Sequence, residues 1–426
     1  MAYTETTTTS WFSRLGSSFA GMGIGFVLLI AGTALLWWNE GDFVATRDAL
    51  NEAQSVTQKV SDISRIDSSL NGKLIHASGF ADTQDVLKDP IFQVGERCIA
   101  LQREVEYYQW VEESRQEKRQ KLGGGEETIT TYTYKQKWVD SPVNSANFKD
   151  PSAYQNHANR VHMDLKDETY RANNVSFGAY RLPDFLISSI SKYEPMQVNL
   201  EPQVRESLVR QLRGRQPNPM VGNVLGALSG TGSTNYNASW HPVDVTSSGN
   251  TIYIGASSAT PAIGDVRITF KKVLPTNVSI LARVNGDTFE EFRSSNGETV
   301  SQLSMGTVSM ENMYGDAHSS NETMTWIFRA GGALVIVIGL KMLVAPLSVL
   351  ASVIPLLGSI VGAGTGLVCT LLGAAWSLII ISIAWLRFRP VIGGIMLGIA
   401  LVLIALLYLK GRSKKVDAEV PPAPAS

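Results

Sequence analysis

The sequence predicts an α+β membrane protein with four transmembrane helices and a large β-rich extracytoplasmic domain. One helix is expected near the N-terminus and three near the C-terminus, with the domain between helices one and two. Two long apolar stretches on either side of a polar region carry this prediction. Charged residues make up only 18% of the 426 residues, below the roughly 25% of an ordinary soluble protein.

The first apolar stretch, residues 19–38, contains no charged residue. About twenty residues are enough for a helix to cross a bilayer core of roughly 30 Å. Trp37 and Trp38 end the stretch and polar residues follow, as at a membrane interface. A cleaved signal peptide would have a shorter apolar run and a small-residue cleavage site, so we predict an uncleaved signal anchor.

The second apolar stretch is long enough for three further spans, at residues 327–349, 356–386 and 391–409. It contains no Asp, Glu or His. Transporters and proton pumps usually carry such groups inside the membrane, so proton-coupled transport is not expected. A topology in which 356–386 includes a re-entrant segment stays open.

Basic residues predict the orientation, because cytoplasmic flanks are enriched in Lys and Arg. The tail at 410–426 carries Lys410, Arg412, Lys414 and Lys415, and the segment 1–18 carries Arg14. Both ends are therefore expected in the cytoplasm and residues 42–326 outside it. That space is the periplasm of a bacterium or the lumen of the endoplasmic reticulum and nuclear envelope of a eukaryote. Arg387 and Arg389 disagree with this orientation, since they would face outward.

Small residues recur at helical spacing in three of the predicted spans. They are Gly21 and Gly25 in the first, Gly358, Gly362 and Gly366 in the third, and Gly394 and Gly398 in the fourth. Faces of this kind let helix backbones approach closely in lipid. We expect them to serve packing within one bundle, homo-oligomerisation, or both.

Three cations at the spans are candidate lipid or pore contacts: Lys341, Arg387 and Arg389. Lys341 lies near the middle of the second span. It either faces a pore or a lipid phosphate, or extends its side chain toward the cytoplasmic interface, as lysines near helix ends do.

The domain is expected to begin with an amphipathic helical continuation of the first span, over residues 45–63. A hairpin follows, with arms at 98–112 and 128–139 and a charged loop at 113–127 that we expect to be solvated. The Gly-, Ser- and Asn-rich segment 217–237 is predicted to be a mobile loop. Further strands are predicted at 73–80, 251–256, 265–274 and 278–284, and helices at 185–190 and 204–212.

No motif points to catalysis. The five histidines are scattered without an HExxH pattern, and the two cysteines are too few for a structural zinc site. A net charge of −1 gives no general attraction to nucleic acid. We therefore predict no enzyme activity, no cofactor, no metal site and no nucleic-acid partner.

Five short motifs occur in an order that resembles the LUMA, or transmembrane protein 43, family. The motifs are Asn39-Glu40-Gly41, Tyr108-Gln109-Trp110-Val111-Glu112, Gly264-Asp265-Val266-Arg267, Met324-Thr325-Trp326 and Arg389-Pro390. The resemblance covers nearly the whole chain. It implies a multi-pass protein of the endoplasmic reticulum and inner nuclear membrane in animals, which organises membrane protein complexes with partners such as lamins and emerin. It implies no catalytic residues.

The favoured hypothesis is a non-enzymatic membrane scaffold that associates with lipid, with other membrane proteins and with copies of itself. A channel or lipid conduit formed by the oligomer is the first alternative, with Lys341 and the glycine faces lining the passage. A membrane-bound hydrolase with an unrecognised site is the second.

Overall fold

The computed structural model describes residues 2–150, 157–215, 243–391 and 393–395. Within them, three helices are long and apolar enough to cross a membrane, in the ranges Trp11–Val56, Met310–Ala351 and Val361–Phe388. These helices and a large β-rich region confirm the α+β membrane fold. Most of the predicted fourth span, 391–409, and the loop predicted at 217–237 lie outside the described residues.

The described helices are α1 (Trp11–Val56), α2 (Asp184–Ile187), α3 (Pro202–Arg215), α4 (Met310–Ala351) and α5 (Pro355–Phe388). The three long helices, α1, α4 and α5, extend beyond the apolar stretches that predicted them. Ser10 caps the start of α1 and Ser309 the start of α4 by accepting a backbone hydrogen bond, as N-cap serines do. Pro346 lies inside α4, which continues to Ala351.

The polar extensions of α1 and α4 are helical because both pack against the domain. Ala49, Leu50 and Ala53 of α1 form one buried cluster with Met313 and Tyr314 of α4, and strand residues Leu74 and Leu281 complete it. Tertiary packing of this kind supplies most of the stability of a helix in a protein. Each helix is thus a continuous rod from its apolar segment into the domain.

The domain contains two large sheets, which pack around buried cores of their own. The strands are β1 (Ala2–Thr9), β2 (Gln58–Val60), β3 (Leu74–Thr83), β4 (Val86–Lys88), β5 (Gly95–Arg97), β6 (Ala100–Gln120), β7 (Glu126–Val139), β8 (Glu168–Arg171), β9 (Val175–Phe177), β10 (Tyr180–Leu182), β11 (Glu194–Pro195), β12 (Asp244–Ser248), β13 (Thr251–Gly255), β14 (Val266–Val273), β15 (Thr276–Asn285), β16 (Thr288–Glu290), β17 (Phe292–Arg293), β18 (Thr299–Val300) and β19 (Gln302–Met305). The first sheet has the strand order β1-β7-β6-β14-β13-β12, and in addition β8 pairs with β6 and β11 with β14. The second sheet has the order β10-β9-β3-β15-β16, and in addition β19 pairs with β15 and β2 with β3.

The prediction of a loop over 113–127 is wrong, because β6 and β7 extend through most of it and leave a turn at residues 121–125. Charged side chains of the two strands pair across the hairpin instead of forming a loop. Lys135 contacts Glu113 at 2.7 Å, and Lys118 contacts Glu126 at 3.3 Å. Each lysine lies two residues from the position directly opposite its glutamate. Long side chains reach across such diagonal positions and stabilise strand pairing, so a polar sequence can be a regular exposed strand.

Strand β1 adds a third strand to this hairpin, with Ala2 opposite Thr133 and Thr9 opposite Glu126. The sequence pattern does not predict this strand. The helix predicted over 45–63 is wrong in its last residues, because α1 ends at Val56 and Gln58–Val60 pair with β3 as strand β2. The remaining predictions agree with the structure: β3, β13, β14 and β15 overlap the strands expected, and α2 and α3 overlap the helices expected.

Candidate functional site

Three of the five motifs that carry the family resemblance meet at one end of the helix bundle. Asn39 and Glu40 come from α1, Thr325 and Trp326 from α4, and Arg389 follows α5 directly. Asn39 Nδ2 donates to the backbone oxygen of Thr325 at 3.3 Å. A Cβ added to Gly41 would lie 3.0 Å from the Phe388 ring. We call the cluster of Asn39, Glu40, Thr325, Arg329, Trp385 and Arg389 the interface cluster.

Glu40 is the centre of the interface cluster and is only 1% exposed. Arg329 Nε donates to Glu40 Oε1 at 2.6 Å, and Arg329 Nη2 donates to Oε2 at 2.8 Å. Trp385 Nε1 donates to Oε2 at 2.8 Å. A carboxylate this deeply buried needs pairing and hydrogen bonds, and here one carboxylate joins all three helices.

Aromatic rings enclose the cations of the interface cluster. The Arg329 guanidinium lies 4.7 Å from the Trp326 ring centre and 5.7 Å from that of Trp385. The Arg389 guanidinium lies 4.2 Å from the Phe43 ring centre. Contacts between a cation and a ring face are favourable, most of all away from water. Nε and Nη2 of Arg389 are buried, and no described residue accepts a hydrogen bond from either.

The other two candidate cations lie apart from this cluster. Arg387 is exposed and its guanidinium lies 5.5 Å from the Phe388 ring centre. Lys341 is exposed on α4, twelve positions beyond Arg329 and thus about 18 Å along the helix. The sequence suggested a shared role in lipid or pore contact, but the structure does not bring the three cations together.

Pairs of glycines set the close approach of α1 and α4. A Cβ added to Gly25 would lie 2.8 Å from the backbone oxygen of Gly339, and one added to Gly332 would lie 2.7 Å from Leu36 Cδ2. Gly32 faces the backbone oxygen of Gly332 at a Cβ distance of 3.0 Å. Gly21 is looser, with Met342 at 3.7 Å. Sequence spacing found Gly21 and Gly25 but missed Gly32 on α1 and both glycines on α4, because Gly332 and Gly339 are seven residues apart.

The glycines of α5 are less tightly packed. Gly362 and Gly366 are half-buried on the side that carries buried Cys369, yet a Cβ added to either meets nothing within 4 Å. Gly373, one turn beyond Cys369, would place its Cβ 2.5 Å from Val337 of α4. Gly394 also meets nothing within 4 Å. The side chain environment of position 358 and the whole of position 398 lie outside the described residues.

The remaining two motifs have structural roles inside the domain. Gln109 Oε1 accepts from Val143 N at 2.5 Å, and Glu112 Oε2 accepts from Lys149 N at 2.7 Å. These side chains hold the segment after β7 against the hairpin. Asp265 Oδ2 accepts from Ala262 N at 2.9 Å and from the Tyr253 hydroxyl at 2.5 Å, which holds the turn before β14.

The described histidines do not converge on a common site. His76 contacts the backbone oxygen of Val308 at 2.9 Å, His162 lies 3.4 Å from Asp265, and His157 packs between Trp110 and Tyr134. Burial lowers the pKa of His157. Within the described residues, no three His, Cys, Asp or Glu side chains are grouped to hold a metal ion.

A comparison with models of protein families shows which family the chain belongs to. The model described as Transmembrane protein 43 matches residues 107–390, two thirds of the chain. The chain belongs to the transmembrane protein 43 family. The LUMA resemblance is confirmed, and with it the identification of a membrane protein.

Three relatives in this family align over most of their length. Transmembrane protein 43 of Rattus norvegicus is 25% identical over 412 residues, which is 96% of this chain and 94% of the relative. The Homo sapiens protein is 24% identical over 413 residues with the same coverage. The Transmembrane protein 43 homolog of Drosophila melanogaster is 25% identical over 384 residues, 88% of this chain and 90% of the relative. No solved structure matches the chain significantly.

Proposed function

We propose that this transmembrane protein 43 family member is a non-enzymatic membrane scaffold that presents its β-rich domain on the outer side of the membrane. Its relatives are named for their place in the membrane and not for a reaction. Four spans follow from α1, α4, α5 and the apolar segment 391–409. The domain then lies in the periplasm of a bacterium or the lumen of a eukaryotic endomembrane.

One observation carries this proposal: α1 and α4 run without a break from the membrane into the core of the domain. Ala53 is fully buried near one end of α1, and Gly25 packs on α4 inside the apolar stretch. The Glu40–Arg329 ion pair joins the two helices between these points. A rigid connection of this kind fits a scaffold, because it fixes the orientation of the domain relative to the bilayer.

We further propose that copies associate through the side of α5 that carries Gly362 and Gly366. That side is half-buried toward α4, where Thr365 lies 3.1 Å from Ser348. Cβ atoms added at the two glycines nevertheless meet nothing within 4 Å among the described residues, which leaves space for a further helix beside α4. Small residues with free space favour helix association in lipid. Lipids and other membrane proteins are the remaining partners expected of a scaffold.

The test compares Gly362→Leu with Gly364→Leu in nanodiscs. Gly364 is exposed and lies two residues away, on the opposite side of the helix because successive residues are about 100° apart. We expect Gly362→Leu to give a smaller particle with an unchanged unfolding temperature, and Gly364→Leu to retain the native mass. An unchanged mass for Gly362→Leu would exclude this side of α5 as the interface.

Lys341 favours a channel or lipid conduit as the second candidate function. It is the one charged residue of α4 beyond Arg329, and its side chain is exposed. A conduit predicts ion conductance or lipid transfer in reconstituted liposomes, and Lys341→Leu should abolish it. Equal activity of the native protein and Lys341→Leu would remove this residue from the passage.

A further inference from the structure

The interface cluster contains one positive charge that no described carboxylate balances. Arg329 and Arg389 bring two cations to the cluster, and Glu40 is its one carboxylate. Arg329 already donates to both oxygens of Glu40. The nearby Arg47 pairs with its neighbour Asp48 at 2.8 Å. In the described part of the chain, the charge of Arg389 is therefore left without a counter-ion.

The donors of Arg389 that lack an acceptor lie on one edge of its guanidinium. Nε and Nη2 point in the same direction from that edge, and both are buried. In Arg329, the same two atoms donate to the two oxygens of Glu40. Buried donors need acceptors, and this fork of an arginine fits the paired oxygens of a carboxylate or a phosphate. An anion of that shape is the partner that Arg389 lacks.

The Phe43 ring covers a face of the guanidinium and not its edge. The ring centre lies 4.2 Å from Cζ of Arg389, within the range of a contact between a cation and a ring face. Such a contact is favourable for the charge, but it accepts no hydrogen bond from the edge. Arg389 as a whole is partly exposed, so a small change in its last side-chain torsion presents the edge at the surface of the bundle.

The rest of the sequence offers few carboxylates for this purpose. Outside the described residues, the acidic side chains are Asp417 and Glu419. Both follow the apolar segment 391–409, which the proposed topology makes the fourth span. They then lie on the opposite side of the membrane from Arg389. The anion is therefore expected to come from outside this chain.

Aromatic side chains place Arg389 at the level of the lipid headgroups. Phe388 packs on Trp37 with ring centres 5.6 Å apart, and Trp326 is exposed beside Arg329. Tryptophans gather at the boundary between hydrocarbon and water, which is where phospholipids carry their phosphates. The position of the fork thus matches the position of the most abundant anion at a membrane surface.

We infer that Arg389 binds the phosphate group of a membrane lipid, in the leaflet that faces the domain. Two phosphate oxygens accept from Nε and Nη2, and the Phe43 ring stacks on the guanidinium. Arg387, exposed two positions earlier, adds a second positive charge at the surface. The inference rests on the proposed function, since α1, α4 and α5 must be spans for the cluster to meet lipid headgroups.

Native mass spectrometry of the full chain in detergent tests the site. The protein is titrated with dioctanoyl phosphatidylglycerol, and separate titrations use dioctanoylglycerol, which lacks the phosphate, and inorganic phosphate. We expect Arg389→Gln to bind the phospholipid about tenfold or more weakly than the native protein, because a two-pronged contact between charged groups is lost. Arg387→Gln is the matched control and should lose less, because Arg387 lies at the surface and acts through its charge alone.

Three results would overturn the inference. Equal binding of the phospholipid by the native protein and Arg389→Gln would remove this residue from the site. Equal binding of dioctanoylglycerol and the phospholipid would show that the phosphate is not recognised. Binding of inorganic phosphate as tight as that of the phospholipid would show a site for the free ion and not for a lipid.

Arg389→Lys keeps the test valid if Arg389→Gln does not fold. Lysine retains the charge but replaces the fork by a single point of contact, so phospholipid binding should still weaken. The control Arg387→Lys should bind like the native protein. Binding by Arg389→Lys equal to that of the native protein would contradict the two-pronged contact.

The same spectra separate this inference from the proposed self-association. A monomer that binds the phospholipid through Arg389 would contradict self-association and leave the lipid site intact. An oligomer with unchanged binding in Arg389→Gln would contradict the lipid site alone. The double variant Asp417→Asn, Glu419→Gln should bind the phospholipid like the native protein. Tighter binding would show that a carboxylate of the tail occupies Arg389, against both the site and the proposed topology.

Discussion

Arg329 of α4 and Glu40 of α1 form a two-pronged ion pair, with Nε–Oε1 and Nη2–Oε2 distances of 2.6 and 2.8 Å. Their side chains are 12% and 1% exposed. Trp385 of α5 donates a third hydrogen bond to the same carboxylate. The pair therefore holds the three apolar helices together where they enter the domain.

Replacing one partner of this pair should destabilise the protein strongly. Arg329→Met leaves the Glu40 carboxylate buried without a cation, and breaking a buried pair in this way costs about 3–5 kcal/mol. The measurement is the free energy of unfolding in nanodiscs or detergent. The double variant Glu40→Met, Arg329→Met should recover much of the loss, because it leaves no buried charge. A mild effect of Arg329→Met alone, below that of the double variant, would contradict the role of the pair.

The glycine contacts between α1 and α4 predict sensitivity to added side-chain volume. A side chain at Gly339 meets the Gly25 backbone oxygen at 2.7 Å, so Gly339→Leu must push the helices apart. Overpacking of this kind costs typically about 1–3 kcal/mol. Gly331→Leu is the matched control, because Gly331 is exposed on the same helix and a Cβ there meets nothing within 4 Å. Equal thermal stability of the two variants would show that the contact does not hold the helices.

The Cys98 thiol should be unreactive in the folded protein. Burial, together with the nearby Glu96 carboxylate, raises the pKa of Cys98 to about 11, and only the thiolate reacts readily. In a Cys369→Ala background, iodoacetamide at pH 8 should add mass only after unfolding. Since the unfolded thiol ionises near pH 9 and the folded one near 11, this group favours unfolding as pH rises through that window. Rapid alkylation of native protein at pH 8 would show that Cys98 is accessible.

Glu112 and Glu113 are adjacent in sequence, but we expect only Glu112 to stabilise the segment after β7. Glu112 accepts from the Tyr134 hydroxyl and from Lys149 N, both at 2.7 Å. Glu112→Ala leaves the partly buried Tyr134 hydroxyl without this acceptor, at a cost of about 1–3 kcal/mol. Glu113 contacts exposed Lys135 and Lys137, and exposed pairs contribute little. Limited proteolysis should cut Glu112→Ala, but not Glu113→Ala, near residues 140–150. Identical digestion patterns would remove Glu112 as the anchor of that segment.

The spans could be predicted from the sequence because lipid requires long apolar helices, and their existence depends on local composition alone. The helical structure of their polar ends could not be predicted in this way. Residues 310–326 are helical because Met313 and Tyr314 pack on the distant strand residues Leu74 and Leu281, a contact that no local pattern shows.

Strand β1 and the interface cluster show the limit more clearly. Thr4 to Thr9 form a strand only because β7, more than a hundred residues later, provides a partner. Glu40 was included in a family motif, yet nothing in its neighbourhood in sequence indicates Arg329 or Trp385 as partners. Both features depend on which helices and strands meet, so the fold has to be known before they are visible.

The central claim, a self-associating membrane scaffold, is tested most directly by the mass of the native particle extracted into nanodiscs. Native mass spectrometry of the full chain gives that mass after subtraction of lipid and belt protein. We expect a defined oligomer, the same at several protein concentrations. A monomer under all conditions would contradict self-association and assign the glycines of α5 to packing within one chain.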